Sequence, residues 1–336
     1  MAPLTFVVGT GRSGSTTLSR IVNLHPDVLS LNELCASLVD PDRALPAEPM
    51  TGGDFWRLLA EPNPFFDAMI RGGAPLPEFL DPRPGLAAVR LMVLPHLTDD
   101  PARLQEELAR VVPKWPSRPA AEHFLALFDT LRLRFDRRVV VERSGYSLHW
   151  VPRLRACFPE ARFVHLHRDG PDCALSMSRH VGYRTIALVH EVMAVAGVGR
   201  LADITPEHVA ALPLDLAAIF SSSFDPVLIR DAALPVHRYA ELWSKLVVEG
   251  VDHLAAVPAA ARTSLSYEAL LAEPDRELTR LAEFVGVTAD PGWLAAARGL
   301  LDPARAHPAA RALTPTDYAA VEAACAPGTQ ALTTAG

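Results

Sequence analysis

The sequence predicts an α/β fold in which a parallel sheet is flanked by helices, and three stretches predict it. Residues 4–8 form a short apolar run rich in β-branched side chains. The run passes through a glycine-rich turn at 9–14 into an amphipathic pattern, with Leu18, Ile21, Val22 and Leu24 at helical spacing. Residues 138–144 read as a buried strand ending in polar groups, and a helix follows over 148–158. Residues 162–166 read as a further strand, which ends in His167-Arg168-Asp169-Gly170 before a helix over 171–179. Strand and helix alternating in this way make a parallel unit, whose ligands gather at the carboxyl ends of the strands.

The first turn carries chemistry. Gly9-x-x-x-x-Gly14-x-Thr16 matches the nucleoside-triphosphatase loop at every defining position but one. Glycines let backbone N–H groups approach an anion closely, and the N-terminus of the following helix adds partial positive charge. Ser15 stands where that loop has its lysine, and the cation sits instead at Arg12. The turn therefore predicts a phosphate nest without the side chain that reaches the β- and γ-phosphates of ATP.

Gly11-Arg12-Ser13-Gly14-Ser15-Thr16-Thr17 resembles the 5′-phosphosulfate loop of sulfotransferases that use 3′-phosphoadenosine 5′-phosphosulfate (PAPS). Many bacterial members carry arginine where Arg12 stands. Thr17 replaces a tryptophan that stacks on adenine in the animal enzymes, so adenine would be gripped elsewhere. The stretch 158–179 is similar to the family's 3′-phosphate block, with Arg168 at the strand end and Ser176 eight residues on. Arginine donates bidentately to phosphate, and Ser176, about two turns into the helix, can present a hydroxyl to the same group. The run Tyr267-Glu268-x-Leu270-Leu271-x-x-Pro274 and the helix after it are also typical of the family. The resemblance covers 4–35, 138–180, 235–287 and, loosely, 305–325.

It also departs from part of the family. Animal cytosolic enzymes have a lysine and, two residues later, a catalytic histidine where this chain has Arg143 and Gly145. Glycine cannot act as a base, and His149 is displaced into the next helix, where a structural role is expected. The resemblance thus moves the general base to Glu33, which follows the helix-Pro26-strand run in the manner of many bacterial members. Arg143 would contact the transferred group or the 5′-phosphate, or else pair with Glu142 or Asp169. Of Arg305 and Arg311 near the C-terminus, Arg311 is the weak candidate for a basic residue returned to the nucleotide, and a surface role is the better expectation.

Other elements follow from local signals. Pro26 ends the first helix, and 28–31 read as a short buried strand. Nine prolines from Pro41 to Pro84 cut that stretch into short helices, at 54–59 and 64–70. A helix over 101–112 is capped by Asp99 or Asp100, and one over 119–135 buries Phe124, Leu127, Phe128, Leu131 and Leu133. An apolar helix over 183–198, a helix opening at Thr205-Pro206-Glu207 and a loop at Ser221-Ser222-Ser223 come next. A long amphipathic helix spans 235–257, a strand and turn run from Ala261 to Pro274, and a helix over 276–285 ends at Gly286. The tail carries a helix over 317–325 and then reads as frayed from Gly328.

With 336 residues, 49% hydrophobic and 21% charged, the chain is expected to form one domain over 1–336, with acceptor-site or lid segments at 40–136 and 181–235. A dimer contact is an open alternative for the second segment, so a homodimer stays among the expected partners. A net charge of −7 argues against a general nucleic-acid or membrane-surface binder. No basic leader and no membrane-length apolar run is present, which predicts no stable membrane insertion and a cytoplasmic protein. Cys35, Cys157, Cys173 and Cys325 lack metal-ligand spacing, the twelve histidines are scattered, and no metal site is expected. The resemblance implies sulfuryl transfer from PAPS to the hydroxyl, or less readily the amine, of a small or lipid-like acceptor, releasing adenosine 3′,5′-bisphosphate. Glu33 and Arg12 would be catalytic, and Gly11, Arg12, Ser13, Gly14, Ser15, Thr16, Thr17, Arg168 and Ser176 would hold the cofactor. The rival readings are a P-loop kinase or nucleotidase with Glu142 as its acid, and a nucleotide-binding protein without turnover.

Overall fold

The computed structural model describes residues 2–199, 201–218, 226–231 and 234–335. Five strands form one parallel sheet: β1 (Leu4–Val8), β2 (Val28–Asn32), β3 (Val139–Arg143), β4 (Arg162–His167) and β5 (Arg262–Ser266), in the order β2-β3-β1-β4-β5. The strand that leads into the glycine-rich turn therefore lies at the centre. Its alternate side chains enter opposite layers. Phe6 packs on Phe158 and Phe163 on one face, while Val7 meets Leu18 and Ile21 on the other. Each such fully buried side chain contributes about 1.5–3 kcal/mol of transfer free energy.

The helices that position the site are α1 (Ser15–Asn23), α2 (Leu34–Leu38), α3 (Ala120–Arg134), α4 (Val151–Cys157), α5 (Gly170–Ser178), α6 (Val181–Ala196), α7 (Val236–Ala255), α8 (Pro274–Val285) and α9 (Pro315–Ala335). α1 and α8 cover one face of the sheet; α2, α3 and α4 lie in the layer against the other. α5, α6, α7 and α9 share a third cluster around Trp243 and Tyr239. Local chemistry sets several starts. Asp169 caps α5 by accepting from the Asp172 N–H, and His180 caps α6 by accepting from the Gly182 N–H. α8 stops at Gly286, whose φ of 95° is the left-handed turn that glycine adopts without strain.

Four local readings are corrected. Leu24 and Leu133 are 49% and 69% exposed, so the apolar stripes of α1 and α3 are narrower than their spacing implies. Residues Leu148–Trp150 form a 3₁₀ turn, and α4 starts at Val151, with Pro152 in its first turn, where a missing N–H costs nothing. The tail is not frayed at Gly328. α9 runs on to Ala335 because the Gly328 N–H donates to Ser244 Oγ at 2.7 Å and the absent Cβ admits the Trp243 ring. The loop expected at Ser221-Ser222-Ser223 lies outside the described residues. Among those described, no helix is long and apolar enough to cross a membrane.

Candidate active site

The turn after β1 is built from left-handed backbone: Gly11, Arg12 and Gly14 have φ of 75°, 56° and 82°. Gly14 caps α1 without a side chain, so the first N–H groups of that helix keep no capping acceptor. Ser13 Oγ is buried and has no hydrogen-bond partner among the described residues. Uncapped amides and an orphaned buried hydroxyl are what a phosphate-binding turn presents, and they fit the 5′ end of a phosphorylated nucleoside. The two glycines are also steric requirements. A Cβ on Gly11 would stand 1.7 Å from Tyr183 Oη, and one on Gly14 would stand 2.2 Å from the Tyr267 ring.

The end of β4 meets this turn. Arg168 Nη2 donates to Asp172 Oδ2 at 3.1 Å, and its guanidinium lies 4.8 Å from the centre of the Tyr267 ring, the ring that also covers Gly14. Arg12 Nε donates to Ser176 Oγ at 3.1 Å, and the Cys173 thiol lies 3.8 Å from the Arg12 carbonyl. Arg12 and Arg168 therefore address the same helix, α5, at Ser176 and Asp172, about one 5.4 Å turn apart. The glycine-rich turn and the end of β4 belong to one place in the fold.

Glu33 follows β2 and adopts a left-handed φ of 59°. It is 4% exposed. The register sets its partner: Asn32 lies opposite Arg143 across β2 and β3, and the Glu33 N–H donates to the Arg143 carbonyl at 2.7 Å. Arg143 Nη1 donates to Glu33 and Nη2 to Asn32, while the Gly145 N–H donates to Glu33 Oε2 at 2.9 Å. Arg143 thus pairs with neither Glu142 nor Asp169, the two partners its sequence position suggests. Glu142 points to the other side of β3. Its Oε1 accepts from Ser144 Oγ at 2.6 Å and the Cys35 N–H at 3.2 Å, and burial pushes its pKa up to about 7 against those bonds.

A cavity of about 730 Å³ opens beside these groups. Its wall is largely apolar, from Phe65, Phe66, Leu76 and Met92 on one side and Tyr183, Ile186, Val189 and Met193 on the other, with Glu33, Glu78 and His180 among its polar groups. The segments 40–136 and 181–235 thus both line it. Glu78 and His180 escaped the sequence reading, since no motif links residues 102 positions apart. His180 Nε2 lies 3.2 and 3.1 Å from the two Glu78 oxygens, and Arg12 Nη1 donates to Glu78 Oε1 at 3.4 Å.

The remaining candidates fall around this centre. Thr17 is partly buried in α1, and Ser15 and Thr16 open the same helix. His149 packs on Tyr146 at 4.7 Å, and burial lowers its pKa to about 4, in keeping with a structural role. Arg311 is exposed and donates to the carbonyls of Ala304 and Ala306, tying its own loop. The tail instead reaches the site through backbone, the Ala309 N–H donating to Asp172 Oδ1 at 3.0 Å. The Arg305 side chain lies outside the described ones. Asp169, Asp172 and His307 bring ligand atoms within 4.8 Å of one another, but both Asp172 oxygens are engaged, by Ala309 and Arg168.

Residues 3–197 match the family model described as the sulfotransferase family. No curated protein matches the chain. Among solved structures, the sulfotransferase domain from the Synechococcus PCC 7002 olefin synthase is 17% identical over 96% of this chain and 94% of its own, with a TM-score of 0.48. The sulfotransferase domain from the curacin biosynthetic pathway is 14% identical over 96% and 97%, with a TM-score of 0.49. The sulfotransferase from Alicyclobacillus acidocaldarius is 15% identical over 99% and 95%, with a TM-score of 0.42.

Proposed function

Because the chain belongs to the sulfotransferase family, with its P-loop NTPase-like fold, we propose that it moves a sulfuryl group from PAPS to a hydroxyl of a small or lipid-like acceptor. An amine is the second choice of acceptor group. The observation that carries this reading is the meeting at Arg12 of three features: the uncapped turn, the α5 helix through Ser176, and the apolar cavity through Glu78.

When bound, PAPS supplies the sulfuryl group and leaves as adenosine 3′,5′-bisphosphate. Backbone amides from Gly11 to Thr16, with the Ser13, Ser15 and Thr16 hydroxyls, hold the 5′-phosphate. Thr17 lies next to them in the first turn of α1. Arg12 stabilises negative charge on the departing phosphate; being always protonated, it orients and neutralises without giving up a proton. Arg168 and Ser176 hold the 3′-phosphate, the group that separates this donor from ADP-like nucleotides. Glu33 takes the proton from the acceptor hydroxyl as the oxygen–sulfur bond forms, and Arg143 with the Gly145 N–H keeps its carboxylate aimed. These residues supply the charge, and the reading calls for no metal.

The cavity sets the acceptor class. Its volume of about 730 Å³ and its largely apolar wall suit a hydrophobic alcohol rather than a polyanionic glycan. In this reading 1–336 work as one cytoplasmic unit, 40–136 and 181–235 forming the acceptor wall and lid. The test is incubation with sulfur-labelled PAPS and a cell extract. Label in a solvent-extractable, apolar product is expected; label confined to highly charged glycans, or absent from every product, contradicts the reading.

A further inference from the structure

The cation of the turn, Arg12, is the end of a long side chain, so something must aim it. Its Nε is fixed by Ser176, but its Nη1 depends on Glu78, which comes from a segment far from either phosphate turn. Glu78 is not a loose surface carboxylate: its side chain is 20% exposed, and both its oxygens face His180 Nε2. The imidazole is itself held. His180 Nδ1 accepts from the Gly182 N–H at 3.1 Å, which leaves the ring hydrogen on Nε2, pointing to Glu78. The ring also stands edge-on to Tyr183, with centroids 5.4 Å apart, and Tyr183 Oη donates to the Thr10 carbonyl at 2.5 Å. Contacts thus run from Thr10 through Tyr183, His180 and Glu78 to Arg12, closing on the turn two residues from where they began.

We propose that Glu78 is a positioning residue for Arg12, held in register by His180, and that this circuit couples the acceptor wall to the cation that stabilises the departing phosphate. The inference rests on the sulfuryl-transfer reading. Glu78 exchanges no proton and forms no bond in the reaction. It accepts the Nη1 hydrogen, holds the guanidinium plane, and is carried by the same wall that lines the cavity. A guanidinium displaced by about 1 Å loses about 100-fold in rate, because preorganised charge acts only where charge develops. Donor binding is affected differently. A carboxylate beside an anion site opposes the anion, so its removal leaves affinity unchanged or tightens it.

The experiment compares wild type, Glu78→Leu, His180→Asn and the double variant. Each is measured for affinity to adenosine 3′,5′-bisphosphate by calorimetry, and for turnover with sulfur-labelled PAPS and 1-dodecanol. Leucine fills the apolar wall while removing the acceptor, and asparagine preserves the cap of α6 while removing the ring hydrogen. Glu78→Leu is expected to lower kcat about 100-fold with bisphosphate affinity within about threefold of wild type or tighter. His180→Asn is expected to lower kcat about tenfold, and the double variant to match Glu78→Leu alone, since His180 acts through Glu78. Turnover of Glu78→Leu within about threefold of wild type overturns the proposal, as does parallel loss of binding and turnover, or multiplicative losses in the double variant. If Glu78→Leu does not fold, His180→Asn decides by the same split. Failure of the wild type to bind the bisphosphate is a different result, because it removes the sulfuryl-transfer reading itself.

Discussion

Tyr183 donates its phenolic hydrogen to the Thr10 carbonyl at 2.5 Å, and the same oxygen occupies the space that a Cβ on Gly11 would need, 1.7 Å away. One side chain of α6 is therefore both the strut of the glycine-rich turn and the reason that turn carries glycine there. The cavity wall and the turn are built as one object.

Gly11→Ala is accordingly expected to be far more damaging than the left-handed backbone alone requires, which is about 1 kcal/mol. Tyr183→Phe removes the clashing oxygen and one buried hydrogen bond, and is expected to cost about 1 kcal/mol by itself. The double variant should then be more stable than Gly11→Ala alone. Urea melts of the three variants check this; a double variant no more stable than Gly11→Ala places the strain elsewhere.

The Glu33–Arg143 pair lies among buried groups, with side chains 5% and 3% exposed. Arg143→Met leaves a buried carboxylate without its cation and is expected to lower stability by about 3–5 kcal/mol. Glu33→Gln with Arg143→Met removes both charges and should recover a large part of that loss. Chemical denaturation of the two variants is the measurement, and equal losses would show that the charge at Glu33 is not what the arginine balances.

Glu142 makes stability depend on pH. Burial raises its folded pKa from 4.5 to about 7, so the native state holds this proton more tightly than the unfolded chain does. Its contribution is fully present below the unfolded value of 4.5 and is lost as pH rises through about 7. Glu142→Gln keeps the acceptor for Cys35 and Ser144 without the charge. It should flatten melting temperature against pH across that window, and stabilise the protein at pH above 7 by on the order of 3 kcal/mol. Unchanged pH dependence in the variant would refute this assignment.

The parts of the site legible in the sequence were those whose signal is local. A β-branched run, a glycine turn and a helical stripe are consecutive in the chain, and so are β4, Arg168 and the α5 helix that carries Ser176. The partner of Arg143 was not legible, because it depends on β2 lying beside β3 with Asn32 opposite Arg143, a register between distant segments. Glu78 and His180 were invisible for the same reason. The tail shows the other limit: Pro327, Gly328 and three threonines (Thr329, Thr333 and Thr334) argue against helix locally, and packing on Trp243 with a bond to Ser244 overrides them.

In the proposed function Arg12 and Arg168 grip the two phosphorylated ends of one adenosine nucleotide. Calorimetric titration with adenosine 3′,5′-bisphosphate, with 5′-AMP, and with ADP plus magnesium tests it most directly, in the wild type and in Arg168→Met. The bisphosphate should bind the wild type most tightly, and Arg168→Met should weaken it about 10–100-fold while leaving 5′-AMP unchanged. Tighter binding of ADP with magnesium, or equal weakening of 5′-AMP and the bisphosphate in the variant, would contradict the account.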